Sequence, residues 1–391
     1  MKVKLSDLYD IGSSKRVFQS EWRDSGVPFY RAREIAKLSS DGTVDNELFI
    51  DEELYSEYIE KYGKPEAGDV MVTGVGTLGV CYVVKPDDRF YFKDGNILWF
   101  KQKAKDKILP EYLVKAFDSK EVKDFIDKNS SGTTVGTFSI QTAKKMEISL
   151  PSLGEQREII DKVTKIETII KQRKQELQLL DDLIKARFVE MFGDPIKNPK
   201  GWEVVTIGDV VTEVRYGTSK PAVEGGKYPY LRMNNLTVDG HLDLNDLKYI
   251  DISDDEIEKC VVRKGDVLFN RTNSIELVGK TAVFDLSEDM VIAGYIIRVR
   301  LNERLLPEIL SQYMNLEALK DILRSMAKGA VNQANINAQE LQNIKVYVPD
   351  MELQKQFIEI KEQVDKSKVA VQKALDETQI LFDSLMQKYF G

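Results

Sequence analysis

The strongest constraint on this chain of 391 residues is that it repeats itself. At a constant offset of 198, residues 141–193 lie over 339–391 without a gap. Gln141 pairs with Gln339, Pro151 with Pro349, Gln156 with Gln354, Ile160 with Ile358, and Phe192-Gly193 with Phe390-Gly391. Upstream the same order recurs with small changes in length: Pro28 to Arg31 with Pro229 to Arg232, Gly68 to Met71 with Gly265 to Leu268, Leu109 to Glu111 with Leu306 to Glu308, and Lys123 with Lys320. A period of half the chain means one large module written twice. The expected organisation is a domain at 1–150, a long helix at 151–193, a second domain at 194–348 entered through a linker at 194–202, and a second long helix at 349–391.

Each of the two helical segments carries an apolar residue every three or four positions, the heptad seam of a coiled coil. In the first copy the seam is Ile159, Val163, Ile166, Ile170, Leu177, Leu180, Ile184 and Met191; in the second it is Phe357, Ile360, Val364, Val371, Leu375, Phe382, Leu385 and Tyr389. Ser152 and Glu155 form a capping-box pattern where the first helix starts. A helix of about 40 residues rises roughly 60 Å, too far to lie along one small domain, so its twin is the natural partner. The first helix must leave the first domain and end at the second, and the second must run back, so the pair is expected to be an antiparallel coiled coil in a pseudo-two-fold, cyclic arrangement. The remaining portions have strand composition at 69–73, 80–84, 96–101, 265–270, 281–284 and 295–301, with helices predicted at 111–126 and 308–326. The expected fold class is α+β, two repeated mixed domains with antiparallel strands.

Composition removes most chemistry. Two cysteines and one histidine cannot build a zinc cluster or a disulfide framework, and leave little for Cys/His or Ser/His catalysis. The N-terminus has no apolar stretch resembling a signal peptide, and the longest apolar run, Met290 to Ile297, is far shorter than the roughly 20 residues that cross a bilayer, so a cytoplasmic protein with no membrane partner is expected. Gly279-Lys280-Thr281 resembles the end of a phosphate-binding loop. It fails as one, because Ser274 stands where the leading glycine belongs and a strand-like run follows instead of a helix. Pro86-Asp87 with Glu121 to Lys123 is a nuclease pattern loose enough to occur by chance. Net charge is −8, yet Ser13 to Arg33 holds five bases and two acids, so a basic face on an acidic chain is possible. The expectation is a protein that catalyses nothing itself.

The domains do offer paired polar loops with groups suited to nucleic acid. Lys15 and Arg16 correspond loosely to Arg215, Tyr216, Ser219 and Lys220; Arg31 and Arg33 are matched by Arg232, Asn234 and Asn235. The loop containing Thr73 and Thr77 lies over a longer one with Asn270, Arg271, Thr272 and Asn273, where Arg suits guanine and Asn suits adenine. Ser130, Thr133 and Thr134 precede the first long helix at the place where Lys328, Asn332, Gln333 and Asn335 precede the second. Their repetition at matching places makes them candidate DNA contacts, and ordinary solvated loops are the alternative.

Two variable domains, each followed by a long helix ending in Phe-Gly, together with Phe192-Gly-Asp-Pro195 and Asn198-Pro-Lys-Gly-Trp202 at the junction, resemble the specificity subunits of type I DNA restriction and modification systems along essentially the whole chain. The resemblance implies that each domain reads one half of a bipartite duplex target and the helices act as a spacer. It also implies that two methyltransferase subunits dock around the coil and restriction subunits join them. S-adenosylmethionine and ATP would then belong to partner chains, with no cofactor on this one. A coiled-coil adaptor that joins proteins without reading DNA is the competing expectation.

Overall fold

The computed structural model describes residues 2–130, 136–330 and 333–391. It forms two compact units, one of Met1–Arg173 with Lys373–Gly391 and one of Lys174–Gln372. Two helices of 40 residues, α1 (Leu153–Phe192) and α2 (Met351–Phe390), pass from one unit to the other.

The first unit is built on an antiparallel sheet in the order Tyr9–Gly12, Ile97–Gln102, Val70–Thr73, Cys81–Val83. Strand residues alternate between faces, and here both faces are buried. Val70, Val72, Leu98 and Phe100 point to a core shared with Tyr112, Phe117, Ile159, Val163, Met386 and Phe390, whereas Met71, Ile97 and Trp99 pack with Ile35 and Leu38 of the helix Ala32–Asp41. The second unit repeats this sheet as Val211–Tyr216, Ile296–Leu301, Val267–Asn270, Thr281–Val283. Register is kept, since Met71 faces Trp99 in one and Leu268 faces Arg298 in the other. The contents of that shared position differ: the Trp99 indole donates to Asp69 at 2.8 Å, while the fully buried Arg298 guanidinium pairs with Glu213 at 2.6 Å.

The six predicted strands and the mixed α+β class agree with the structure to within two residues at each end. Two expectations are corrected. Not all pairing is antiparallel: Phe29 and Tyr30 run parallel to Tyr91 and Phe92, and Tyr230 and Leu231 parallel to Val291 and Ile292, in a second small sheet of each unit. The single helices predicted at 111–126 and 308–326 are each two helices, Pro110–Asp118 with Lys120–Asn129, and Pro307–Met314 with Glu317–Met326. Ser119 breaks the first by bonding the Ala116 carbonyl at 2.6 Å and accepting from the Val122 amide at 3.3 Å, the local competition that makes serine a cap rather than a helix interior residue.

Within each unit the beginning of one long helix packs against the end of the other, which is antiparallel pairing. Ile159 and Val163 share a core with Met386 and Phe390 in the first unit; Ile184, Phe188 and Phe192 share one with Phe357 and Val364 in the second. Of the expected seam, Ile159, Val163, Ile184, Phe357, Val364, Val371 and Leu375 are buried, and Ile166, Ile170, Leu177, Leu180 and Phe382 are half-buried. Phe188, Phe192, Met386 and Phe390 were outside the strict heptad count because helix ends join domain cores, where the apolar stripe widens. Among the described residues no helix is long and apolar enough to cross a membrane.

One residue fixes where each long helix leaves its domain. Gln156 is fully buried; its Oε1 accepts from the Leu109 amide at 2.9 Å and its Nε2 donates to the Lys107 and Pro151 carbonyls at 2.7 and 2.9 Å. Gln354 does the same with Leu306, Arg304 and Pro349 at 2.9, 3.0 and 2.8 Å. Gln354→Leu would leave one amide and two carbonyls unbonded, and unfolding by denaturant should register a loss of about 2–3 kcal/mol.

Candidate nucleic-acid interface

In the second unit three of the predicted segments meet. The strand Val267–Asn270 runs into a loop whose neck is closed by the Gly279 amide on the Asn270 carbonyl at 2.9 Å. Just past the neck, Thr272–Asn273 pairs with Gln333–Asn335, which pairs with Lys328–Ala330, making a three-stranded ribbon. The Arg271 guanidinium lies over the Tyr216 ring at 4.9 Å, a cation–π contact that holds the planar group. Tyr216 is steadied by the Ala338 amide, which donates to its hydroxyl at 2.8 Å, and Arg271 Nη1 reaches the Gly294 carbonyl at 3.5 Å. Arg271 Nε is buried with no hydrogen-bond partner. Tyr216 and its neighbour Tyr295 are 43% and 49% exposed. Tyr295, whose carbonyl accepts the Arg271 amide at 2.9 Å, was missed in the sequence because it opens an apolar strand run. A half-buried guanidinium beside two exposed tyrosine rings offers the donor and the stacking faces that suit nucleobases.

Several candidates frame this loop instead of facing outward. Asn270 is fully buried; its Nδ2 donates to the Thr272 and Tyr295 carbonyls at 3.2 and 3.1 Å, and its Oδ1 accepts from Asn273 Nδ2 at 2.8 Å. Asn273 Oδ1 in turn accepts the Ser274 amide at 2.9 Å, and Thr272 Oγ1 bonds Asn335 Oδ1 at 3.0 Å. Asn235 is buried too, accepting from the Arg232 amide at 2.8 Å and donating to the Asp243 carbonyl at 2.8 Å. For Asn270, Thr272 and Asn235 the expectation of direct contact is therefore corrected: the two asparagines bond backbone groups around their turns, and Thr272 is buried against the Asn335 amide across the ribbon. Asn234, Ser219 and Gln333 are exposed. Arg215 pairs with Glu213 at 3.1 Å, Lys220 with Glu256, and Arg232 with Asp246 at 2.7 Å. The Lys328 side chain and Asn332 lie outside what is described.

The first unit has the same frame with different chemistry. The Phe138 amide bonds the Gly74 carbonyl at 2.9 Å as Ile336 bonds Arg271, so glycine stands where the second unit has its arginine. Thr73 is buried, accepting from the Val80 amide at 3.0 Å and donating to the Thr77 carbonyl, so it too frames its loop; Thr77 is exposed. Ser130 bonds the Asp127 carbonyl at 3.0 Å, and Thr133 and Thr134 lie outside the described residues. Arg16 pairs with Asp94 at 3.2 Å, and Lys15 Nζ stands 5.8 Å from the Tyr62 ring centre. Arg31 and Arg33 both bond the buried Glu34, at 2.8 and 3.0 Å, and Arg33 also bonds Glu47 at 2.7 Å. Burial alone would raise the Glu34 carboxyl; donation from the Arg31 side chain and backbone and from Arg33 outweighs it and brings the group down to about 2. These two arginines thus present fixed, partly neutralised forks.

The junction between the repeats is folded as well. Asp194 Oδ1 accepts the Ile196 and Lys197 amides at 2.9 and 2.8 Å, Asn198 takes a left-handed φ of 45°, and the Trp202 indole donates to the Phe192 carbonyl at 2.8 Å.

Residues 1–179 and 199–378 each match the type I restriction modification DNA specificity domain. The chain belongs to that family. Curated relatives of this specificity family include the putative type I restriction enzyme MjaX specificity subunit of Methanocaldococcus jannaschii, 30% identical over 49% of this chain and 46% of that one. Another is the type I restriction enzyme EcoKI specificity subunit of Escherichia coli, 23% identical over 68% of this chain and 61% of that one. The matches thus span about half to three fifths of those relatives' length. In fold, the chain is similar over its full length to the S subunit of a type I restriction-modification system from M. genitalium, with a TM-score of 0.55 at 15% identity and 96% of that chain covered. It is likewise similar to a chain from a structure of type I restriction-modification complex assembly, with a TM-score of 0.63 at 20% identity and 97% of that chain covered.

The Glu34 cluster carries a pH signature. A carboxyl held near 2 when folded and near its ordinary 4.5 when unfolded stabilises the first unit above the higher value, and that contribution is lost as pH falls through the lower one. Glu34→Gln should cost about 1–3 kcal/mol at neutral pH in denaturant unfolding, with the gap to wild type closing between about pH 4.5 and 2.

Proposed function

We propose that this chain is the recognition subunit of a type I restriction and modification system, reading duplex DNA without catalysing a reaction. On this proposal each unit reads one half of a bipartite target, and the long helices set the distance between halves. Two methyltransferase subunits dock around the helices to methylate adenines, and restriction subunits join that assembly. S-adenosylmethionine and ATP are bound by those partners. Base chemistry requires the target nucleotide to leave the helical stack, and this chain's task is to place the partners where that happens.

The observation that carries the proposal, beside family membership, is the ribbon of the second unit, where Tyr216, Arg271 and the strand Gln333–Asn335 come together from three segments well separated in sequence. Electrostatics support the involvement of partners. With a net charge of −8 and most candidate arginines paired to carboxylates, the free subunit has little surplus charge for phosphate, so the rest of the phosphate-neutralising charge comes from other chains.

Electrophoretic shift of target duplex should be weak with the subunit alone and strong once its methyltransferase is added; equal failure in both would favour an adaptor that never reads DNA. In the same complex Arg271→Ala should relax recognition at one position of one half-site by about 1–3 kcal/mol and leave the other half unchanged. Four residues inserted in register into each long helix lengthen it by about 6 Å. The unread spacer in mapped methylated sites should lengthen by about two base pairs, and an unchanged spacer would reject the role of the helices as a ruler.

A further inference from the structure

Lys280, the lysine of the sequence that imitates a phosphate-binding loop, is turned inward. It is 7% exposed, and its Nζ donates to the Met233 carbonyl at 2.7 Å. Its own carbonyl accepts the Asn270 amide at 2.8 Å, so Lys280 forms part of the neck of the loop that carries Arg271. Met233 opens the short turn Met233–Asn235, which follows Arg232 and contains Asn234. Among the described residues no carboxylate pairs with Lys280. Burying an ammonium against one carbonyl costs stability that an apolar side chain would not, and burial lowers its affinity for its proton.

The first unit shows that the fold does not need a lysine here. With Gly79 aligned on Gly279, Val80 occupies the place of Lys280, and the strand Cys81–Val83 follows as Thr281–Val283 does. The segments that these residues face also differ. After Arg31 the first unit has a helix of ten residues, Ala32–Asp41, anchored by Ile35 and Leu38 in the core; after Arg232 the second has a single turn of three. One turn cannot hold itself in place by helical hydrogen bonds. A second tie lies on the other side of the neck. Lys320, also buried, donates to the Gly279 carbonyl at 2.6 Å and to Asn315 Oδ1 at 2.8 Å, and Asn315 Nδ2 donates to the Thr281 carbonyl at 2.6 Å. Its counterpart Lys123 is exposed. Burial brings Lys320 down to about 7, with Arg324 adding to the effect, Glu317 opposing it and Lys280 adding again. An amine without its extra proton still has two N–H donors, one for each of these oxygens.

We propose that Lys280 is a positioning residue for target readout: it ties the turn Met233–Asn235 to the neck of the Arg271 loop, so that the two reading segments of the second unit hold one geometry. Lys320 braces the same neck from the side of the helix Glu317–Met326. This rests on the proposed reading of DNA by the second unit.

The test uses the subunit assembled with its methyltransferase and duplexes carrying the mapped methylated target, with single base changes in either half. Lys280→Val installs the first unit's residue. Discrimination against changes in the second half-site should fall by about tenfold, the size of one lost charge-assisted hydrogen bond, while first-half discrimination and assembly hold and the thermal midpoint does not fall. Lys280→Arg, which still donates to the Met233 carbonyl, should restore it. If Lys280→Val fails to assemble, Lys320→Met cuts the other tie and should give the same half-site effect. Wild-type discrimination in the assembled variants would overturn the proposal. Arg271→Ala run in parallel separates the two levels: an effect from it alone rejects the tie and keeps DNA reading, whereas no effect from either rejects both.

Discussion

The buried amides of Gln156 and Gln354 set the geometry on which the remaining structure depends. A long helix can transmit position only if its direction at the domain is fixed, and direction is fixed by what holds its first turn. Each glutamine joins three backbone groups from two segments, the helix entry at Pro151 or Pro349 and the connection before Leu109 or Leu306. With oxygen and nitrogen both engaged in a site closed to water, rotation of the amide breaks bonds that no solvent replaces. The same atoms do this in both units, so the two helices leave their domains under the same constraint.

On that frame, the units differ in how they hold positive charge. The first fixes Arg31 and Arg33 on one buried carboxylate, giving oriented donors with little net charge. The second lays Arg271 on an aromatic ring and braces its loop with two buried lysines that bond carbonyl and amide oxygens. The contrast extends into the sheets, where Trp99 and Arg298 fill equivalent positions. Divergence is thus concentrated in what the frame carries, and the strands and their register are kept.

Architecture was legible in the sequence because it is written in periodicities. The 198-residue offset, the three-and-four spacing of apolar residues and the strand runs survive any change of side-chain detail. What stayed hidden depends on three-dimensional proximity. Asn270, Thr272 and Asn235 read as polar groups open to a ligand, yet they are buried and bonded to other groups of the protein; local spacing alone does not tell an inward polar group from an outward one. Phe188, Phe192, Met386 and Phe390 escaped a strict heptad because they belong to domain cores as much as to the helix pair. Tyr295 and Lys280 were hidden by their surroundings, one inside an apolar run and one inside a motif borrowed from another chemistry. For the candidate interface, spacing pointed to segments that the fold brings together around Arg271, while which of their side chains turn inward was not legible.

The division of the chain has a further result for how it can be taken apart. The boundaries at Arg173 and Lys373 fall in the middle of continuous helices, and the first unit takes Phe382, Met386 and Phe390 from the far end of the chain. Loss of the last three turns of the second long helix would therefore injure the unit made mostly of residues 2–173, while sparing the unit that directly precedes those turns in sequence. Neighbourhood in space and neighbourhood in translation order are here reversed.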